Sequence, residues 1–187
     1  MPSESGQPQP ADAALLRRAR HGDASAFHDL VDRHAARLFA MAASFAGNVT
    51  DAEDIVQETF AGAFRGLRAF EGRSSVRTWL TSILVRQTAM HRRRTTRREA
   101  RLVRLETASE PVAAVPSPTQ AADTRIDVMD AIQLLSPQHR DVIILRELQG
   151  LSYDEMAEAL GIPRGTVESR LFRARRHLQE RLKGYLD

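Results

Sequence analysis

Three clusters of side chains in this sequence are chemically distinctive, and all three look built for binding rather than bond-making. Residues 51–58 carry four acids and no base: Asp51, Glu53, Asp54 and Glu58, with Gln57 among them. Residues 91–104 hold seven arginines against one acid, Glu99, and residues 164–183 hold seven basic residues against Glu168 and Glu180. Blocks of opposite sign suit a chain that touches a polyanion in two places and something basic in a third. Cysteine is absent, which removes disulfides, thiolate metal sites, cysteine nucleophiles and redox sensing by the chain itself. The histidines at positions 21, 28, 34, 91, 139 and 177 show no ligand spacing, and no Glu-x-x-His accompanies the acids of 51–58 to make a carboxylate-bridged metal site. No metal and no cofactor is expected.

The last basic block has a face. At about 100° per residue, Val167, Leu171, Ala174 and Leu178 fall on one stripe, and Gly165, Ser169, Phe172, Arg173 and Arg176 fall opposite. Upstream, Ser152-Tyr153-Asp154-Glu155 reads as a capping box opening a short helix. Ala157 is small where a second helix must cross, Gly161 marks a turn, and the next helix starts near Gly165 and Thr166. That layout is a helix-turn-helix. Arg173 and Arg176 can fork onto guanine, Ser169 can donate or accept, Phe172 can touch a thymine methyl, and Glu168 can accept from cytosine. Arg164, Arg170 and Arg175 lie to the sides and fit phosphates. The competing role for this face is an ordinary solvated surface.

The elements that must position these clusters are helical throughout. The chain is 42% hydrophobic but only 5% aromatic, which favours helical cores over a β-sandwich. Twenty-six of its 27 basic residues are arginine, so a pI of about 10.1 overstates a formal charge of +3. Residues 1–11 have the Pro, Ser and Gln content of a disordered tail. From Asp12 one long amphipathic helix is expected through Phe27, Leu30, Val31, Leu38, Met41, Ala42 and Phe45, stopping at Gly47-Asn48. Thr50-Asp51-Ala52-Glu53 reads as a capping box for a helix whose apolar stripe is Ile55, Val56, Phe60, Ala63, Phe64 and Leu67. A polar loop ending at a Ser74 cap leads to a third helix bearing Val76, Trp79, Leu80, Ile83 and Leu84. Residues 96–125 close the arginine cluster and continue into a proline-bearing, stripe-free linker. The expected architecture is all-α: two small helical domains, 12–95 and 126–187, joined by that linker, the second with the helix-turn-helix. No apolar run reaches the roughly 18 residues of a membrane span, and the start lacks the pattern of a secretory signal. A cytoplasmic location is expected.

Two stretches carry a family resemblance. Residues 148–176, LQGLSYDEMAEALGIPRGTVESRLFRARR, resemble the minus-thirty-five recognition region of bacterial extracytoplasmic-function (ECF) RNA polymerase sigma factors. Residues 51–80, DAEDIVQETFAGAFRGLRAFEGRSSVRTWL, are similar to the same family's core-polymerase and minus-ten region. The resemblance implies that Asp54, Gln57 and Glu58 grip the clamp coiled coil of the polymerase β′ subunit, with the β subunit also contacted. It implies that the loop Phe70, Glu71, Gly72, Arg73, Ser74 and Ser75 captures a flipped base of the minus-ten element, beside Trp79 and Arg86. It assigns minus-thirty-five recognition to Arg164, Thr166, Glu168, Ser169, Arg170, Phe172, Arg173 and Arg176. Trp79 lies on the apolar stripe, so core packing competes with DNA contact there. Leu80 stands where housekeeping sigma factors have a second tryptophan, and Arg86 stands where many relatives have asparagine. The resemblance further implies promoter DNA and an anti-sigma factor as partners, and no catalysis by this chain. A free-standing helix-turn-helix regulator is the alternative, and a helical metal-dependent hydrolase a third possibility.

Overall fold

The computed structural model describes residues 10–106 and 128–183, and every element among them is helical. The expected long first helix is two. Helix α1 (Pro10–Arg20) ends before Gly22, which takes a φ of 95°, and Asp23 then caps α2 (Ala24–Ala46) by accepting the Ala26 N–H at 3.1 Å. Hydrogen bonds from Ser25, Arg18 and the Ala26 amide hold the Asp23 carboxyl down at about 2. The apolar periodicity runs across this break, which is why it was hidden. The reach of α1 back to Pro10 has its own anchor: buried Asp12 accepts from Arg33 Nη1 at 3.0 Å and meets His34 Nε2 at 3.1 Å.

Gly47, with φ 79°, closes α2, and Asn48 caps α3 (Val49–Gly66) by accepting the Asp51 N–H at 2.8 Å. Asn48 therefore takes the place expected of Thr50. Helix α3 buries Ala52, Ile55, Thr59 and Ala63. A Cβ on Gly62 would stand 3.2 Å from Ile83 Cγ2, so glycine sets the close approach of α3 to the next helix. After a 3₁₀ turn at Leu67–Ala69 and a loop, Ser75 rather than Ser74 caps α4 (Val76–Glu106), its hydroxyl accepting the Thr78 N–H at 3.0 Å. Helix α4 buries Val76, Leu80, Ile83 and Leu84. It runs on through the arginine block because no glycine or proline interrupts it and arginine is a good helix former. Residues 96–106, expected to begin the linker, are thus helical, and 107–127 lie outside the described residues, as do 1–9 and 184–187.

The second half holds α5 (Val128–Gln133), α6 (Pro137–Ile143), α7 (Tyr153–Leu160) and α8 (Arg164–Leu182). Ser136 precedes Pro137 at the start of α6, as its sequence suggests, and α6 passes into one π-helical stretch at Ile144–Leu148. Val142, Ile143, Ile144 and Leu145 are all buried. The two helical halves expected from the sequence are both present, the second with its helix-turn-helix, and they pack on each other, α7 lying along α4, with their buried residues in one continuous cluster. Halves this small bury little surface alone, and sharing a core offsets that.

His34 predicts a pH dependence. Burial pushes its imidazole below the ordinary 6.5, against the pull of Asp12 and with Arg37 and Arg33 helping. A lowered folded pKa contributes stability that is present above the unfolded value and lost as pH falls below it, when the unfolded chain takes up the proton. Burial shifts His139 the same way. Melting temperature should fall between about pH 7.5 and about pH 5.5, and His34→Gln should make that slope shallower. An identical slope in the variant would contradict this.

Candidate polymerase and nucleic-acid interfaces

On α3, the packing of Ile55, Thr59 and Ala63 turns the acidic face outward. Asp54, Gln57 and Glu58 are exposed and line a cleft of about 260 Å³ with Gln87, His91 and Arg94 of α4. Glu58 lies 3.9 Å from Arg65, both largely solvated, so its charge stays available to a partner. Phe64, expected on the buried stripe, is 61% exposed, with its ring edge-on to Phe27 at 5.2 Å. It sits seven residues after Gln57, about two helical turns and nearly the same direction. That register was a signal available in the sequence, and the apolar character of Phe64 masked it.

The loop after α3 is a small structured pocket. Gly72, with φ 74°, makes its turn. Phe70 is buried and stacks on Trp79, centroids 4.5 Å apart and planes 26° apart. Phe70 therefore backs the loop, and half-buried Trp79 is both a packing residue and the aromatic floor of a cleft of about 430 Å³. Glu71, Arg73 and Ser74 line the same cleft, Arg73 paired with Glu71. Ser75 is spent on its cap. Arg86, two turns further along α4, is exposed with no partner among the described residues.

Helix α8 has the two faces expected of it. Val167, Leu171 and Ala174 are buried, while Ser169, Phe172, Arg173 and Arg176 are exposed, Phe172 at 71%. The helix is presented by α7, whose capping box is complete: Ser152 Oγ accepts the Glu155 N–H at 3.3 Å and Glu155 Oε2 accepts the Ser152 N–H at 2.8 Å. Gly161, φ 64°, ends α7. Helix α8 starts at Arg164, next to the expected Gly165, with Thr166 half-buried in its first turn.

The basic residues of this half differ in how far their charge is paired. Arg164 is tied to both Asp154 oxygens and to Glu168, each at 3.0 Å, and these hydrogen bonds raise its already high pKa. It braces α7 against α8 and shares its charge with Glu168. Arg175 is held by Glu147 and Arg176 by Glu180. Arg170 and Arg173 have no ion pair among the described residues and flank His139 with His177. Arg173 and Phe172 thus sit on one exposed face beside Ser169, with half-buried Arg170 at its side.

Sequence profiles agree with this division of surfaces: that of sigma-70 region 2 matches residues 30–98, and that of sigma-70, region 4 matches residues 125–178. The chain is 33% identical to the ECF RNA polymerase sigma-E factor of Haemophilus influenzae over 184 residues, 94% of this chain and 97% of that protein. The chain belongs to the ECF sigma factors of the sigma-70 family. It is also 36% identical to the RNA polymerase sigma factor NccH of Alcaligenes xylosoxydans xylosoxydans, over 89% of this chain and 92% of that one. Among solved structures it is similar to CnrH in complex with the cytosolic domain of CnrY, with a TM-score of 0.68 and 32% identity, covering 93% of this chain and 98% of CnrH. It is similar too to the sigma factor RpoE in complex with the anti-sigma factor NepR from Bartonella quintana, with a TM-score of 0.64 and 33% identity, covering 84% and 96%. A sigma factor, not a free-standing regulator or a hydrolase, is what both halves together make. None of its described helices is long and apolar enough to cross a membrane.

The capping box makes a test of how the sigma factor's α8 is held. Ser152→Ala should lower stability by about 1 kcal/mol, read from denaturant midpoints, and Ser152→Thr should recover most of it. No loss in the alanine variant would mean that the box does not anchor α7.

Proposed function

We propose that this sigma factor binds core RNA polymerase through the outward face of α3 and directs initiation by contacting two promoter elements. Asp54, Gln57 and Glu58 supply charge for the clamp coiled coil of β′, and Phe64 continues the face with an apolar anchor of the kind that dominates interface energetics. The β subunit completes the polymerase contact. The observation that carries the reading is that one chain presents an acidic α3 face and, on α8, an arginine face with unspent charge.

At the minus-ten element the loop Phe70, Glu71, Gly72, Arg73, Ser74 and Ser75 receives a base drawn from the stack, a step costing a few kcal/mol. The Phe70–Trp79 stack gives that base a rigid aromatic floor, and Arg86 holds a phosphate. One tryptophan instead of two makes strand opening depend on a near-ideal promoter. At the minus-thirty-five element Arg173, Phe172 and Ser169 read base edges, Arg170 and Arg176 hold phosphates, and Arg164, Thr166 and Glu168 fix the start of α8 and its register. Residues 12–95 and 126–187 act as two functional units, joined through 96–125. The chain itself makes and breaks no bond, since nucleotidyl transfer belongs to the polymerase. An anti-sigma factor masks these surfaces, in keeping with the CnrY and NepR complexes of its relatives, and the setting is the cytoplasm.

Gln57→Ala with Glu58→Ala should weaken binding of the full chain to core polymerase by about ten-fold or more, as should Phe64→Ser, with duplex DNA binding unchanged. Unaltered assembly in all of these would remove α3 as the docking face. Arg173→Ala should cost ~1–3 kcal/mol at one base position, measured against a panel of single-base promoter variants. A loss uniform over the panel would make Arg173 a phosphate contact.

A further inference from the structure

Two helices of the second half bring two imidazoles and two guanidinium groups to one corner. His139 stands in the first turn of α6, which Pro137 starts, and His177 stands one turn beyond Arg173 on α8. Packing of α6 on α8 sets the two rings edge to face, centroids 5.2 Å apart and planes at 88°. Arg170, Arg173 and His177 follow one another at spacings of three and four, so they share one side of α8. Arg173 and His177 are exposed, Arg170 and His139 half-buried. Burial pushes the His139 imidazole below the ordinary 6.5, and His177, Arg173 and Arg170 push it the same way. Its Nδ1 is buried with no hydrogen-bond partner among the described residues.

The corner has cations and no anion of its own: among the described residues no carboxylate pairs with either ring. On α8, Arg176 holds Glu180 at 2.9 Å and Arg164 holds Glu168 at 3.0 Å. On α6, Arg92 holds half-buried Asp141 at 2.9 Å, and Arg140 donates to the Gln133 and Leu135 carbonyls. The π-helical stretch brings Glu147, which Arg175 holds, and Arg146, which donates to the Leu151 carbonyl. Helix α5 brings only the exposed Asp130.

We propose that this corner seats one phosphate of the promoter backbone beside the minus-thirty-five element, with His177 and Arg170 facing the phosphate and His139 backing the His177 ring. This rests on the assignment of the α8 face to that element. His177 lies four residues past Arg173, about 6 Å along the helix and about 40° around it. A side chain displaced that far from a base-reading position meets the wall of the groove, and that wall is phosphate. In the free chain a proton added to the imidazole pair meets the charges of Arg170 and Arg173. A phosphate in the corner reverses the local field, so seating it draws a proton onto the pair. Affinity gained by this uptake is present at low pH and is lost as pH rises through the value the pair takes in the complex.

The test uses the full chain and a fluorescent pool of random duplexes of about 30 base pairs, since a phosphate is the same in every sequence. Apparent affinity at low salt should rise by about two- to five-fold from about pH 8 to about pH 6. His177→Gln and His139→Gln should each remove most of that rise. At about pH 6, His177→Gln should also lessen the slope of log affinity against log salt by about one, a change that a merely structural role would not produce. His177 is exposed, so its variant should melt with the parent chain. Arg173→Asp tests the α8 face itself and should weaken duplex binding about five-fold or more. Binding left intact by Arg173→Asp would remove α8 as the DNA face, and the seat with it. Binding weakened by Arg173→Asp, but with a pH rise and salt slope that both histidine variants leave unchanged, would overturn the phosphate seat alone.

Discussion

Helix α4 is packed from two sides, and the rest of the molecule depends on that packing. Val76, Leu80, Ile83 and Leu84 bury its first turns, against α3 at the Gly62 crossing and against α7 across the seam. The crossing fixes which face of α3 looks outward, and so which carboxylates a partner meets. The Ser75 cap and the Phe70–Trp79 stack fix where the loop begins and ends. A shift of one residue in α4 would rotate Trp79 by about 100° and dismantle the cleft.

Charge is distributed around this frame by a simple rule: an arginine that has a carboxylate neighbour braces structure, and one without is left for a partner. Arg164 and Arg175 brace the second half, Arg176 shares its charge only with exposed Glu180 one turn along α8, and Arg86 and Arg173 have no ion pair among the described residues. The net charge of +3 conceals this. What a polyanion senses is the local surplus on α8 and along α4, and exposed pairs give up their charge cheaply when a phosphate competes.

Much of this was legible in the sequence where the information is local. The stripe Val167, Leu171 and Ala174, the capping box at Ser152 and the proline after Ser136 follow from helical periodicity and cap chemistry, and the structure has them all. The break at Gly22 was illegible because the apolar pattern continues through it, and Asn48 displaced Thr50 because either side chain can cap. The exposure of Phe64 was illegible because hydrophobicity alone does not say which of two neighbouring stripes of α3 packs inward. The extension of α4 to Glu106 was illegible because the arginine block carries no apolar stripe, only the helix propensity of arginine. Least legible was the seam between the halves: Arg92 with Asp141 and Arg77 with Gln149 are distant pairs, each side chain ordinary where it stands in the chain.

The central claim is that the chain gives a polymerase its choice of promoter. The direct measurement is to mix it with bacterial core RNA polymerase and a library of random duplex templates, and to sequence the RNA 5′ ends formed with and without it. The account predicts new start sites that appear only with the chain and share two upstream sequence elements at fixed spacing. Start sites that are the same with and without it, or that share no element, would contradict the claim.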